Sequence, residues 1–337
     1  MLPSNRSRQY AALGTFALLL GLPLAAVAWD FESVLATVDQ QQVTGYAPVW
    51  SVSWSPDGKR LASGGYDGRI RLWDENVTAK EVLSGHHQAV TFVAWSPEGE
   101  RLASAGQDGT VRLWDAGGKP GPVLEGHNGL VACVAWSPDG KQLASAGFVD
   151  RTVRVWTAEG KPVFVLEGHR SSVHSVAWSP NGKRLASGGY DGTIRLWTAD
   201  GKPERVIEAG DKVYSVAWRP DGKQFASANH DGTIRLWALD GTPAAVLRGH
   251  KGYVAFVAWS PDGKRIVSAG EDHTVRLWDV GGTGRSILNK HVNIAHSAVW
   301  SPDGAQLLSG GMDGLLCIWD AKTAKVTRTR DLSRSEQ

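Results

Sequence analysis

After residue 35 the chain alternates apolar and polar side chains in short runs, and turn residues break each run. Val173-His174-Ser175-Val176-Ala177-Trp178 is one such run. Its period of two and its β-branched and aromatic content predict a strand with one face buried. A Ser-Pro-Asp-Gly turn or a near copy follows each run of this kind. Proline pre-sets φ for the turn, and glycine takes the left-handed position without a Cβ clash. Arg184-Leu185-Ala186-Ser187 predicts a second strand, ended by Tyr190-Asp191-Gly192, and Thr193 to Trp197 a third. A Gly/Asp/Lys-rich turn leads to a fourth apolar stretch, such as Val163-Phe164-Val165-Leu166, before Gly168-His169 opens the next unit. No stretch after residue 35 carries a helical period.

The unit recurs. The tryptophan that ends the first strand stands at 54, 95, 136, 178, 218, 259 and 300, at spacings of 40 to 42. A second tryptophan, ending the third strand, stands at 73, 114, 156, 197, 237, 278 and 319. These two registers hold fourteen of the sixteen tryptophans, leaving out Trp29 and Trp50. A fixed period of this size marks a repeat architecture, in which neighbouring units bury each other's apolar faces.

Gly-His, Ser-Pro-Asp-Gly, Ala-Ser-Gly, Asp-Gly and Leu-Trp-Asp, in that order and seven times over, closely resemble WD40 repeats. The resemblance runs from Gly45 to Asp320, about four fifths of the chain. It implies an all-β fold, a seven-bladed β-propeller of four-stranded antiparallel blades. It also implies a hydrogen-bonded His–Ser–Asp–Trp set inside each blade. Complete sets are His86, Ser104, Asp108 and Trp114; His127, Ser145, Asp150 and Trp156; and His169, Ser187, Asp191 and Trp197. The sixth and seventh repeats supply His250, Ser268, Asp272 and Trp278, then His291, Ser309, Asp313 and Trp319. The first repeat has Tyr46 near the His position beside Ser63, Asp67 and Trp73. The fifth reads Ala209-Gly210-Asp211, one residue short and without His, beside Ser227, Asp231 and Trp237. Blades one and five are expected to be less rigid there. The third carries an extra residue in Phe148-Val149-Asp150. A hydrolase triad occurs once per enzyme and needs an oxyanion hole, so a set repeated in every unit points to structure instead.

Closing the ring needs one more outer strand. Gln40 to Thr44 is favoured for that place, with Lys325 to Thr329 as the rival. The lead-in would then be 29–44, the propeller 45–320, and 321–337 a mobile tail.

Residues 1–28 carry a different pattern. Arg6 and Arg8 precede an apolar run from Ala11 to Trp29 that Pro23 interrupts, and Ala26-Val27-Ala28 has the small residues a signal peptidase requires. An export signal cleaved after Ala28 is expected, leaving 34 bases against 34 acids. An uncleaved membrane anchor is the alternative. Either places the rest of the chain outside the cytoplasm, in a periplasmic or extracellular setting, with membrane contact only through that segment.

Composition narrows the chemistry. A formal charge of +2 over 337 residues does not suggest nucleic acid, which calls for a basic patch or a strongly positive domain. Two cysteines, Cys133 and Cys317, exclude a disulfide scaffold, an all-cysteine zinc site and a CxxCH haem attachment. They are expected as buried, unpaired thiols far apart in the ring. Two registers vary against the fixed background. One is four residues before the first-strand tryptophan: Trp50, Thr91, Ala132, His174, Tyr214, Ala255 and His296. The other precedes the turn Asp: Tyr66, Gln107, Val149, Tyr190, His230, Glu271 and Met312. The family resemblance puts both on the narrow face around the channel mouth. Exposed aromatics there are typical binding anchors. Trp50, Tyr66, His174, Tyr190, Tyr214, His230, Glu271, His296 and Met312 are therefore the candidate partner-binding residues. Titration of the histidines near pH 6–7 would make binding pH-sensitive. His174, His230 and His296 come without an acid or Cys at ligand spacing, so no metal and no cofactor is expected. The chain is expected to be a non-enzymatic scaffold for protein or peptide partners. The alternative is an exported enzyme or cofactor binder with its site at the channel mouth.

Overall fold

The computed structural model describes residues 47–280 and 285–332. Segments 1–28 and 29–44, including Gln40–Thr44, lie outside the described residues. Each repeat becomes one four-stranded antiparallel sheet, and there are seven among the described residues. The first holds β1 (Val49–Trp54), β2 (Arg60–Gly65), β3 (Arg69–Asp74) and β4 (Ala79–Ser84) in sequence order. The last holds β25 (Ala295–Trp300), β26 (Gln306–Gly311), β27 (Leu315–Asp320) and β28 (Lys325–Asp331). The seven-bladed propeller implied by the repeats is the fold.

The core lies between blades. Ala62, Ile70, Leu72 and Leu83 of the first blade pack on Val90, Val93, Trp95 and Leu102 of the second. The approach is close: a Cβ on Gly64 would lie 2.7 Å from Val90 Cγ1. Leu308, Leu316 and Ile318 of the last blade meet Val49, Val52 and Trp54 of the first, which closes the ring. Each buried Leu or Ile contributes roughly 1.5–3 kcal/mol, so these seams hold the ring together.

The outer strand of the last blade comes from the C-terminal side. β28 pairs with β27 along its length. This corrects the expected placement of Gln40–Thr44: the rival segment fills the position, and residues up to 332 are not a mobile tail. The reason is local. Asp320 Oδ1 accepts from the amides of Lys322 at 3.1 Å and Thr323 at 2.7 Å, forming a short hairpin turn. A hairpin of that length closes at low entropic cost.

Inside the blades the repeated polar residues form a directed chain. In the second blade Trp114 Nε1 donates to Ser104 Oγ at 3.0 Å, and Ser104 bonds His86 Nε2 at 2.8 Å. His86 Nδ1 meets the Asp108 carboxylate at 3.0 Å; the carboxylate only accepts, so Nδ1 carries the proton. Asp108 also accepts the His87 amide at 3.0 Å. The same chain recurs around His127, His169, His250 and His291. Every member is satisfied, as buried polar groups must be to avoid a cost of about 1–3 kcal/mol each. Burial alone would raise the Asp191 carboxyl, but the His169 hydrogen bond and the Arg170 amide outweigh it and hold the group far below the usual carboxylate range. Asp150 is held at about 2 by His127 against the same burial.

The two exceptional blades are rebuilt with other residues. Arg71 Nη2 pairs with Asp67 at 2.6 Å in the first, and Arg235 Nη2 with Asp231 at 2.5 Å in the fifth. Arg235 also donates to the Ala209 carbonyl. The fifth blade carries Asn229 where the others carry glycine. Glycine is needed beside an imidazole, since a Cβ on Gly189 would lie 2.6 Å from His169 Nδ1. With no histidine in the fifth blade, Asn229 fits, fully buried, and donates to the Thr233 carbonyl at 3.0 Å.

Candidate functional site

Each first strand carries a β-bulge near its start. Val49 pairs with Gly65 and Ser51 with Gly64, so Trp50 is the extra residue. The same shift falls at Thr91, Ala132, His174, Tyr214, Ala255 and His296. The first variable register is therefore the set of seven bulged residues. A bulge re-aims its side chain, and here the bulged rings meet those of adjacent blades, Trp50 with His296 and His174 with Tyr214.

The second register follows the second strand. Its amides donate to the chain entering each blade: Tyr66 to Pro48, Gln107 to Ala89, Tyr190 to Ser172, His230 to Lys212, Glu271 to Tyr253 and Met312 to Ile294. In the third blade the equivalent donor is Phe148, to Leu130. Val149 is the inserted residue, 46% exposed, and is replaced by Phe148 in this register. Counting from the second strand, rather than back from Asp150, would have found it.

The rings form two clusters. In one, Phe148 meets Tyr190 at 5.5 Å, Tyr190 stacks on His174 at 5.3 Å, and His174 meets Tyr214 at 5.2 Å. Tyr214 stacks on Tyr253 at 4.8 Å and on His230 at 6.1 Å. Lys212 Nζ lies over Tyr190, 5.4 Å from its centroid. In the other cluster Trp50 stacks on His296 at 5.6 Å, with Tyr66 at 6.1 Å. Sequence reasoning missed Tyr253, which precedes the sixth first strand by one residue and has no fixed register of its own.

The expectation that all nine candidates are exposed anchors needs correction. Trp50 and Tyr214 are 6% exposed and Met312 1%. Trp50 and Tyr214 pack against their neighbours because rings on adjacent bulges reach across the seams. Tyr66, His174, Tyr190, His230 and His296 are half-buried, and Glu271 is exposed. His174 donates Nδ1–H to the Tyr214 carbonyl at 2.9 Å, and His296 donates likewise to Trp50 at 2.9 Å. Burial pushes His174 down to about 4 and lowers His296 as well. The expected titration near pH 6–7 is therefore corrected for these two. Both stay neutral at pH 7.

Cys133 and Cys317 are buried and unpaired. Burial pushes their thiols up to about 11 and about 12. Among the described residues no three His, Cys, Asp or Glu side chains are grouped to hold a metal ion.

Seven segments, 38–74, 78–115, 118–157, 160–198, 201–238, 241–279 and 283–320, match the family described as "WD domain, G-beta repeat". The chain is also similar to "Cell division cycle 20.1, cofactor of APC complex" of Arabidopsis thaliana, 31% identical over 77 residues. That match spans 21% of this chain and 16% of that protein. The repeats, the blades and the internal polar chains agree with the seven matched segments, and the chain belongs to the WD40 family.

Proposed function

We propose that this protein is a non-enzymatic interaction scaffold that offers the mouth side of its ring to protein or peptide partners. The observation that carries the reading is the aromatic arc from Phe148 to Tyr253, spread over four neighbouring blades and held by bulged strands. Tyr66, Tyr190, His230 and Glu271 supply the contact surface. Trp50, His174, Tyr214, His296 and Met312 support it from beneath. Rings fixed before binding lose little conformational entropy on contact, which favours affinity. Glu271 is the single acid in the two variable registers, which supports a scaffold over an enzyme. The Arabidopsis relative is named a cofactor of a complex, a role consistent with a binding ring.

The propeller works outside the cytoplasm on this reading. The support is Arg6 and Arg8, the apolar run, Pro23 and the Ala26-Val27-Ala28 site. Mass spectrometry of the mature N-terminus tests it; a chain beginning at Trp29 is expected, and an intact Met1 contradicts cleavage.

Affinity capture with the full chain tests the scaffold reading. Tyr66→Ser/His230→Ser/Glu271→Lys is expected to lose partners that wild type recovers. Equal recovery by both removes the mouth as the docking surface.

A further inference from the structure

The seven seams between blades are not equivalent, and the difference follows two bonds on the side of the ring opposite the mouth. The first is an arginine clamp. Arg60 lies over the Trp95 ring of the next blade at 4.6 Å and donates to the Ala116 and Gly99 carbonyls at 2.7 and 2.9 Å. Arg101 lies over Trp136 and donates to Ala158 at 2.8 Å; Arg265 lies over Trp300 and donates to Ala321 at 2.6 Å. In the fifth blade Arg219 does the same from another position, over Trp259 at 5.5 Å with a bond to Gly263. A guanidinium on an indole face, with its donors satisfied, ties one blade to the next.

The second bond is the indole N–H of the first-strand tryptophan. Trp136, Trp218, Trp259 and Trp300 each donate to an alanine carbonyl of the preceding blade, at 3.1 to 3.4 Å. The buried indole nitrogens of Trp54, Trp95 and Trp178 have no partner.

Two seams lack both bonds. Between blades three and four, Gln142 stands at the arginine position and Trp178 is unbonded. Between blades seven and one, Gln306 stands there and Trp54 is unbonded. Arg184, at the same position in blade four, turns to Glu204 of its own blade at 2.7 Å, but Trp218 still bonds across that seam. At the two bare seams apolar packing remains, Trp178 and Leu185 with Val155 and Leu166, and Trp54 with Leu308 and Ile318. The aromatic contacts across them lie nearer the mouth, Phe148 with Tyr190 and His174, and Trp50 with His296. Further links run from Cys133 Sγ to the Val176 carbonyl at 3.6 Å and from Val52 N–H to Ser297 Oγ at 3.4 Å.

We propose that the ring is two rigid sectors, blades one to three and blades four to seven, hinged at these two seams. The aromatic contacts at the mouth act as the hinges, and the opposite side opens. This goes beyond the scaffold reading and does not depend on any partner. It places a partner that docks over either cluster directly on a hinge line.

Hydrogen exchange of the full chain, followed by mass spectrometry, tests it. Local opening exposes backbone bonds in proportion to its population. Peptides covering Val173–Trp178 and Val49–Trp54 are expected to exchange at least about tenfold faster than those covering Val213–Trp218 and Val254–Trp259. Gln142→Arg restores the clamp at the first bare seam and is expected to slow Val173–Trp178 alone; Gln306→Arg is expected to slow Val49–Trp54 alone. Lys223→Arg, an exposed, charge-conserving change beside the seam that Arg219 already clamps, is expected to change nothing. Uniform exchange over the inner strands overturns the proposal, and so does a folded Gln142→Arg variant whose Val173–Trp178 exchange matches wild type.

Discussion

His174 Nδ1 and the carbonyl oxygen of Tyr214, 40 residues apart, meet at 2.9 Å across the seam between the fourth and fifth blades. The bond fixes the tautomer, and burial keeps the ring neutral, with its pKa pushed from 6.5 to about 4. His296 and His250 are lowered too, both mainly by burial.

A pH profile follows from these shifts. A base whose folded pKa is depressed binds fewer protons folded than unfolded between the two values. Stability is therefore expected to fall as pH drops from about 6.5 to about 4, by roughly 2–4 kcal/mol for His174. A second loss is expected below pH 4, where the depressed carboxyls of Asp108, Asp191 and Asp272 take up protons in the unfolded chain first. Thermal melts from pH 7.5 to 3 check this. In His174→Phe the drop between pH 7 and 4.5 should shrink; an unchanged drop contradicts the assignment.

The polar chains inside the blades are structural. His169→Ala leaves Ser187 and Asp191 buried without their main partner. A loss of about 2–3 kcal/mol in urea denaturation is expected. Asp231→Asn in the fifth blade removes only the exchange with Arg235, and about 1 kcal/mol is expected there.

Asn229 and the missing fifth histidine are one substitution in two places. Gly189→Asn in the fourth blade is expected to clash with His169 and cost more than about 2 kcal/mol. His169→Gly/Gly189→Asn, which copies the fifth blade, is expected to recover part of that loss in a double-mutant cycle. Additive losses would separate the two positions.

Ring closure by β28 gives a deletion test. Ending the chain at Ala321 strips β27 of its outer partner, and loss of the cooperative melt or a fall of at least about 10 °C is expected. Removing residues 29–44 from the cleaved chain is expected to shift the midpoint by no more than about 2 °C. The reverse order of effects contradicts closure from the C-terminal side.

The fold was legible because every level of the sequence agreed. Tryptophan spacing, turn chemistry and alternation all repeat at one period, and the strands formed where they pointed. The closing strand was not legible, because Gln40–Thr44 and Lys325–Thr329 both suit an edge and only turn geometry at Asp320 separates them. The mouth was half legible. Its registers stood out by varying, but the bulge that aims Trp50 and Tyr214 into their neighbours is a backbone shift that alternation does not reveal. The Phe148 register slipped because the third repeat inserts its extra residue after, not before, the mouth position.

The central claim is a division of labour: the repeated polar chains hold the blades, and the mouth rim recognises partners. Melting and partner capture, measured side by side on two variants, test it most directly. His169→Ala should lower the melting midpoint and, captured well below it, recover the wild-type partners. Tyr66→Ser/His230→Ser/Glu271→Lys, likewise captured well below its own midpoint, should stay folded and lose them. Capture lost with His169→Ala and kept with the rim variant would contradict the account.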